Sequence, residues 1–477
     1  MSEPLNSQTF LALSARGVDI PRYERGSKPG VVHLGLGAFH RAHQALVFDT
    51  LLTLGDPRWG VLGVGMSNPA VADALAAQNG LYSVQIASKA GTRWQVGGAV
   101  WQTAVAAREA HTVVAALAAP HTRWVTITVT EKGYGPALAE LLVQGLAARY
   151  AMGHPGLTLA SCDNLQHNGS KLRALVVHTA RANHAVLADW INTACAFPNS
   201  MVDRIVPAAT PQRLAAAHAA LGLDDAAALG TEAFWEWAIE RRFVDDGDAA
   251  LLASAGVTVV DDVAPFETAK LRMLNGSHSV MACLGAVLGL KVISDCIAEP
   301  AIRTLVHGLM TEEVGPHLAR SDWPAYRDAL LERFGNPMLQ HSVHQIATDS
   351  SQKIPQRWPP SALPHLLAGH VPERLAFAAA VWMRYLRGIN EAGQPYEQND
   401  PMAATLQPIA LAHAGNAAAS VLALGTLPAV WGDTLPQHGA WLARVTHWLD
   451  AIHTQGARAA LQQLNGLTAG NAAKAAS

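Results

Sequence analysis

The segment Pro265-Phe266-Glu267-Thr268-Ala269-Lys270-Leu271-Arg272-Met273-Leu274-Asn275-Gly276-Ser277-His278 holds the densest group of reactive side chains in the chain. Wound as an α-helix at about 100° per residue, it places Glu267, Lys270, Asn275 and His278 within an arc of roughly 140°. Leu271 and Leu274 share that face, so four polar groups stand on a mostly apolar wall. Burying such groups is costly unless each has a partner or a task. Oxidising an alcohol needs a base for the hydroxyl proton and a donor for the developing alkoxide. A lysine whose pKa is lowered by apolar surroundings serves as the base, and an asparagine amide serves as the donor. The same residues also suit a solvated helix closed by Asn-Gly, and the segment alone leaves both readings open.

A second region with chemical content is Val31-Val32-His33-Leu34-Gly35-Leu36-Gly37-Ala38-Phe39-His40-Arg41, an apolar run, a G-x-G turn and a helical segment. Gly35 permits the tight turn, and Gly37 lets the backbone approach a pyrophosphate at the following helix. His40 replaces the third glycine of the dinucleotide fingerprint, which sets that helix further from its strand. The acidic residue that marks NAD is missing near Met66-Ser67-Asn68, and so is a cation for a 2′-phosphate. NAD is expected, with NADP left open. Ser161-Cys162-Asp163-Asn164 ends another apolar run, at the edge where α/β sheets bind ligands. Asn164 there is either a second amide donor or the cap of an Asx turn.

The elements that must carry these residues follow from apolar patterning. Buried strands are expected at residues 31–37, 60–66, 124–130 and 157–162, with a late one at 257–260, and Ala-rich helices separate most of them. That alternation predicts an α/β Rossmann-type parallel sheet. Alternation between Leu81 and Gln102 around Ala90-Gly91 predicts an inserted antiparallel hairpin. Beyond about residue 265 the pattern turns helical, giving a dinucleotide-binding domain over 1–262 and a mostly α-helical substrate domain over 263–477. The site is expected in the cleft between them, and the tail from about Leu467 is expected to fray.

Composition narrows the function classes. The chain has 477 residues, 15% of them charged, with 34 Lys and Arg against 37 Asp and Glu. This balance gives no footprint for nucleic acid or an anionic membrane. Four scattered cysteines and the absence of a signal-peptide pattern predict a reduced, cytoplasmic protein. The 21 histidines form no H-E-x-x-H and no zinc spacing, so no metal is expected. Oligomeric state is not legible.

Several segments, in order, resemble the mannitol dehydrogenase family of polyol-specific long-chain dehydrogenases. They are Gly35 to Gln44, Thr130-Glu131-Lys132-Gly133-Tyr134, Ser161 to Asn164 with Asn168-Gly169, Met201-Val202-Asp203-Arg204, Lys270 to His278, and Ser351-Gln352-Lys353-Ile354-Pro355. The resemblance implies Lys270 as general base and Asn164 with Asn275 as the amide pair on the reacting oxygen. It further implies His278 orienting substrate and Glu267 relaying the proton to solvent. Gly35, Gly37, Phe39, His40 and Arg41 would meet the cofactor, and Lys132, Asp203, Arg272 and Lys353 the substrate.

Within the family, Lys132 and Gln345 depart from the mannitol 2-dehydrogenases, which have Gly and Arg there, and Thr130 to Tyr134, Met201 to Pro211, Lys270 to His278 and Ser351 to Arg357 resemble the fructuronate reductases (D-mannonate oxidoreductases) better. An added cation suits a carboxylate. Thr231-Glu232-Ala233-Phe234 departs from the family's C-E-P-F, and the segment from Tyr134 to Leu157 is shorter than usual. The expected substrate is therefore an open-chain sugar acid, with a hexitol or arabinitol as the alternative. A catalytically dead dinucleotide sensor is the rival outside enzymes, and the intact Lys/Asn/Asn/His set argues against it.

Overall fold

A computed structural model describes residues 3–88, 91–207, 209–337 and 341–475. Contacts divide it into two compact units, Met1–Ala264 and Pro265–Ser477. The first unit carries eleven strands: β1 (Val31–Leu34), β2 (Val61–Gly65), β3 (Tyr82–Ser88), β4 (Gly91–Gly97), β5 (Val100–Val105), β6 (Trp124–Ile127), β7 (Thr158–Ser161), β8 (Ser200–Asp203), β9 (Leu229–Glu232), β10 (Glu236–Glu240) and β11 (Thr258–Val260). Five of them form a parallel sheet in the order β5-β2-β1-β6-β7. The order reverses between β1 and β6, the point at which a doubly wound sheet opens a crevice for a ligand.

Period-two alternation explains why these short runs become strands. Val32, Leu34, Leu62, Val64, Val125 and Ile127 face one core, with the helices Ala106–Ala118, Pro136–Ala151 and Asn168–Asn183. Val31, Val61, Trp124 and Ala160 face the other, with Gln44–Thr53 and Asp248–Ser254. Both faces being covered, the strands read as near-continuous apolar runs. The sheet and its flanking helices bear out the expected Rossmann-type fold.

Three expectations need correction. The hairpin is β3 with β4 in antiparallel register, but it ends at Gly97, and β5 returns to the main sheet beside β2. As an edge strand β5 is less covered in its middle, with Gln102 exposed and Trp101 and Thr103 half-buried, and so it resembles a hairpin arm. The hairpin turn at Ala90 lies outside the described residues. Strand β11 joins β10 and β8 in a separate three-stranded sheet, while β4, β3 and β9 form another. The tail expected to fray from Leu467 continues the helix Ala457–Ala475.

The second unit is helical, and among the described residues the last strand ends at Val260. Two of its helices are buried almost all round, as central helices must be: Gly276–Leu288 and Glu373–Tyr385. Among the described residues, no helix is long and apolar enough to cross a membrane.

Where a third glycine would bring the first helix close to its strand, a stacked ring pair fills the gap. The His40 and His33 rings lie 3.3 Å apart and 10° from parallel, both fully buried. His33 Nε2 lies 3.0 Å from the Gly35 carbonyl, which only accepts, so Nε2 carries the proton and Nδ1 accepts from the Thr126 hydroxyl at 2.9 Å. Burial pushes the His33 pKa down to about 3 and that of His40 well below its ordinary value. Both rings are neutral in the fold, whereas the unfolded chain protonates them below about pH 6.5. The unfolded state therefore binds more protons between pH 6.5 and about 3, and stability falls as pH drops through that window. For His33 alone the loss is about 2 kcal/mol between pH 7 and pH 5. Urea titrations at both pH values are expected to show it, and His33→Gln to show a smaller difference between them.

Candidate active site

At the carboxyl end of β1, the turn is set by a conformation that only glycine tolerates. Gly35 has φ +99°, and a Cβ there would stand 2.2 Å from the Thr128 carbonyl oxygen. Its N–H and that of Leu36 both donate to the Val64 carbonyl, at 2.9 and 3.0 Å. Gly37 differs. Its backbone is extended, at φ −102°, and a Cβ would meet only the Gly35 oxygen at 3.7 Å. Protein packing does not demand glycine at 37, and the space over its backbone fits a bound pyrophosphate.

The residues after Gly37 part company with the expectation. Phe39 stays half-buried and stacks on His43, with ring centres 5.1 Å apart. His40 and Arg41, expected at the cofactor, belong to the interior, with 0% and 4% exposure. His40 is spent on His33. The Arg41 guanidinium donates to the carbonyls of Gly37 and Ala227 and lies over the Tyr82 ring, whose hydroxyl donates back to the Arg41 carbonyl. Both are packing residues of the turn, because the sheet face beneath the helix has no water to solvate them.

The loops leaving β6 and β7 are tied together by one carboxylate. Asp163 accepts the N–H of Thr130 at 2.7 Å and that of Val129 at 3.1 Å. Thr130 has φ +67°, a costly conformation for a β-branched residue, and the Asp163 bond holds it there. Burial pushes the Asp163 pKa up while these two donors pull it back. The Tyr134 hydroxyl bonds the Ser161 hydroxyl. Asn168 donates to the carbonyls of Asp163 and Ser200, at 3.0 and 2.8 Å. Motifs apart in sequence thus form one scaffold, on which Lys132 and Asn164 are exposed. Asp203 ends β8 opposite Glu236 and is buried. Sequence reading missed Asp163, Thr130 and Tyr134 as positioning groups, although it singled out the runs that contain them.

In the second unit, Ala264–Ala269 is α-helical, Lys270–Asn275 is a π-helix, and Gly276–Leu288 is α-helical again. The Gly276 N–H reaches back five residues to the Leu271 carbonyl, which is the i→i+5 closure of a wide turn. Residues five apart then stand about one turn apart, so Asn275 lines up with Lys270 more closely than uniform α geometry allows. Glu267 and His278 flank them and are buried, while Lys270 and Asn275 are half-buried. The His278 ring rests on Phe334 at 4.6 Å and lies 6.1 Å from His341.

Two expected substrate contacts also have neighbours within the second unit. Arg272, two residues from Lys270, falls on the opposite side of the turn, near His317, whose pKa is lowered by burial first and then by the charges of His365 and Arg272. The Lys353 ammonium donates to the carbonyls of Thr348 and Ile346, at 2.5 and 3.3 Å. It anchors its own helix, and burial lowers its pKa. Among the described residues, no three His, Cys, Asp or Glu side chains gather as a metal site.

Comparison with known proteins gives a consistent result. Residues 29–251 match the family model described as "Mannitol dehydrogenase Rossmann domain", and residues 262–453 match "Mannitol dehydrogenase C-terminal domain". The chain is 37% identical to D-mannonate oxidoreductase from Escherichia coli (strain K12), over 90% of this chain and 94% of that one. It is also 37% identical to mannitol 2-dehydrogenase from Phaeosphaeria nodorum, over 96% and 85%. A solved structure of Pseudomonas fluorescens mannitol 2-dehydrogenase, a ternary complex with NAD and D-mannitol, matches with TM-score 0.82 and 29% identity, covering 97% of this chain and 99% of that one.

The two glycines of the turn are expected to respond differently to alanine. Gly35→Ala should cost about 3 kcal/mol or more, from positive φ and the clash with Thr128. Gly37→Ala should unfold within about 0.5 kcal/mol of the parent. Urea denaturation of both variants checks this.

Proposed function

The chain belongs to the mannitol dehydrogenase family, and on that premise we propose that it interconverts a secondary alcohol and a ketone on an open-chain sugar acid, D-mannonate and D-fructuronate, using NAD. The observation that carries the chemistry is the wide turn at Lys270–Asn275, which aligns a lysine with an amide donor between Glu267 and His278. The open space over Gly37 fits the pyrophosphate of the cofactor. NAD supplies the hydride acceptor when bound.

In the oxidative direction Lys270, as the free amine, takes the hydroxyl proton while the carbon gives up hydride. Asn275 and Asn164 donate N–H to the oxygen as its charge grows and then to the ketone. Glu267 passes the proton from Lys270 to solvent, and His278 orients the substrate. In reduction the same lysine, protonated, returns the proton to the oxygen. Every group acts by position and proton transfer, without titrating the amides.

The sugar-acid assignment rests on Lys132, an exposed cation on the loop that Asp163 ties down. It suits a terminal carboxylate better than a neutral hydroxymethyl group. The second reading, a hexitol or pentitol 2-dehydrogenase, draws on the equal identity to mannitol 2-dehydrogenase.

Lys270→Ala is expected to bind NADH like the parent and to lose about 1,000-fold or more in kcat. Gly37→Ala should weaken NADH binding, measured by fluorescence titration. Steady-state rates on a panel of hexonates and hexitols decide the substrate, and faster oxidation of mannitol or arabinitol than of mannonate would overturn the sugar-acid reading.

A further inference from the structure

The wide turn ends where it is gripped from outside the helix. The Arg357 guanidinium donates to the Asn275 carbonyl at 3.0 Å and to the Ser279 hydroxyl at 2.7 Å. The Trp358 indole N–H donates to the Gly276 carbonyl at 3.1 Å. Asn275 and Gly276 are the residues at which i→i+5 closure reverts to α geometry. Two neighbouring side chains therefore take the two carbonyls of that junction.

The arm that delivers them is itself fixed. Arg357 ends the helix Ser350–Arg357. At the other end of that helix, Asp400 accepts from the Ser350 hydroxyl, the Ser351 N–H and the Ser351 hydroxyl, at 3.0, 2.8 and 2.5 Å. The indole N–H of Trp382, in the central helix Glu373–Tyr385, donates to the Ser350 hydroxyl at 3.0 Å. Lys353 fastens the middle to the preceding turn. Trp358 is 1% exposed, so its donor has no water to fall back on. Burial lowers the Arg357 pKa to about 10, and the group remains a cation at neutral pH.

We propose that Arg357 and Trp358 are positioning residues for the reaction: by holding the carbonyls of Asn275 and Gly276 they fix the wide turn, and with it the alignment of Lys270 and Asn275. This rests on the reading of Lys270 as the base. It assigns Arg357 and Trp358 to support of the reacting groups. A charge-assisted bond to a carbonyl is among the stronger hydrogen bonds available, and the misplacement it prevents is of the size that costs an enzyme turnover.

The test compares Arg357→Met, Arg357→Lys and Trp358→Phe with the parent and with Lys270→Ala, all as the full chain. Arg357→Met is expected to lower kcat by about 100-fold while NADH affinity stays within about twofold, since the cofactor turn lies on other elements. Trp358→Phe keeps the ring and loses the donor, so it should lose less, and Arg357→Lys should recover part of the activity. In Arg357→Met the pH limb that reports Lys270 should move to higher pH, because a loosened turn admits water that stabilises the ammonium. Loss of activity that only follows the folded fraction, with the pH limb unmoved, overturns the positioning role, as does an unchanged kcat. If Lys270→Ala is inactive while Arg357→Met and Trp358→Phe turn over normally, the positioning role alone fails. If Lys270→Ala itself turns over normally, the base assignment fails and takes the positioning role with it.

Discussion

Two backbones meet at the switch point of the sheet at a distance that leaves no room for a side chain. Gly35 of the turn after β1 and Thr128 beyond β6 approach so closely that a single methyl group would collide with a carbonyl oxygen. The other features of that edge follow from this approach. The Thr128 hydroxyl bonds the Gly35 carbonyl at 2.9 Å, His33 bonds the same carbonyl from below, and the loop beyond Thr128 passes directly into the pair of N–H groups that Asp163 holds. The open backbone of Gly37 and the exposed Lys132 and Asn164 stand on one connected frame, so the precision of the edge comes from backbone contact rather than from the reactive side chains.

The second unit meets a different constraint. The groups proposed to react sit just before a helix that is buried from Gly276 to Val287, where unpaired polar atoms are expensive. The wide turn opens the helix at Lys270–Asn275, and the carbonyls at its far end find side-chain donors. A π segment inside an α-helix has poorer internal geometry, and it persists when surrounding structure over-determines it. Arg357, Trp358 and the Asp400 anchor provide that surrounding structure.

How much of this was legible depended on whether the determining contact was local. Strands β1, β2, β6 and β7 were readable because both faces are buried and the apolar run is unbroken, whereas β5, at the edge, blended into the hairpin. Lys270, Asn275 and His278 were readable as a group, but the π turn was not: KLRMLN contains no glycine or proline, and its width is set by residues some eighty positions away. His40 was read as a cofactor contact because it stands where the fingerprint has glycine. Its true partner, His33, faces the same side of β1 as Val31, so strict alternation along the strand held the clue. Asp163 was seen only as the neighbour of Asn164, because the N–H groups it holds lie on another strand's loop.

The wide turn also bears on how the sequence is free to change in length. A π turn inside an α-helix is one residue of extra chain. Deleting one residue between Lys270 and Asn275 would restore uniform α winding and leave the helix beyond facing as before, because the wide turn already absorbs that residue. One residue removed from Gly276–Leu288 instead would rotate the rest of that buried helix by about 100° against the walls it packs on. The stretch from Gly276 to Leu288 is therefore closed to insertions and deletions, and the wide turn before it is where a change of one residue is absorbed. The exposed run around Met152 and Gly153 has no such counting rule.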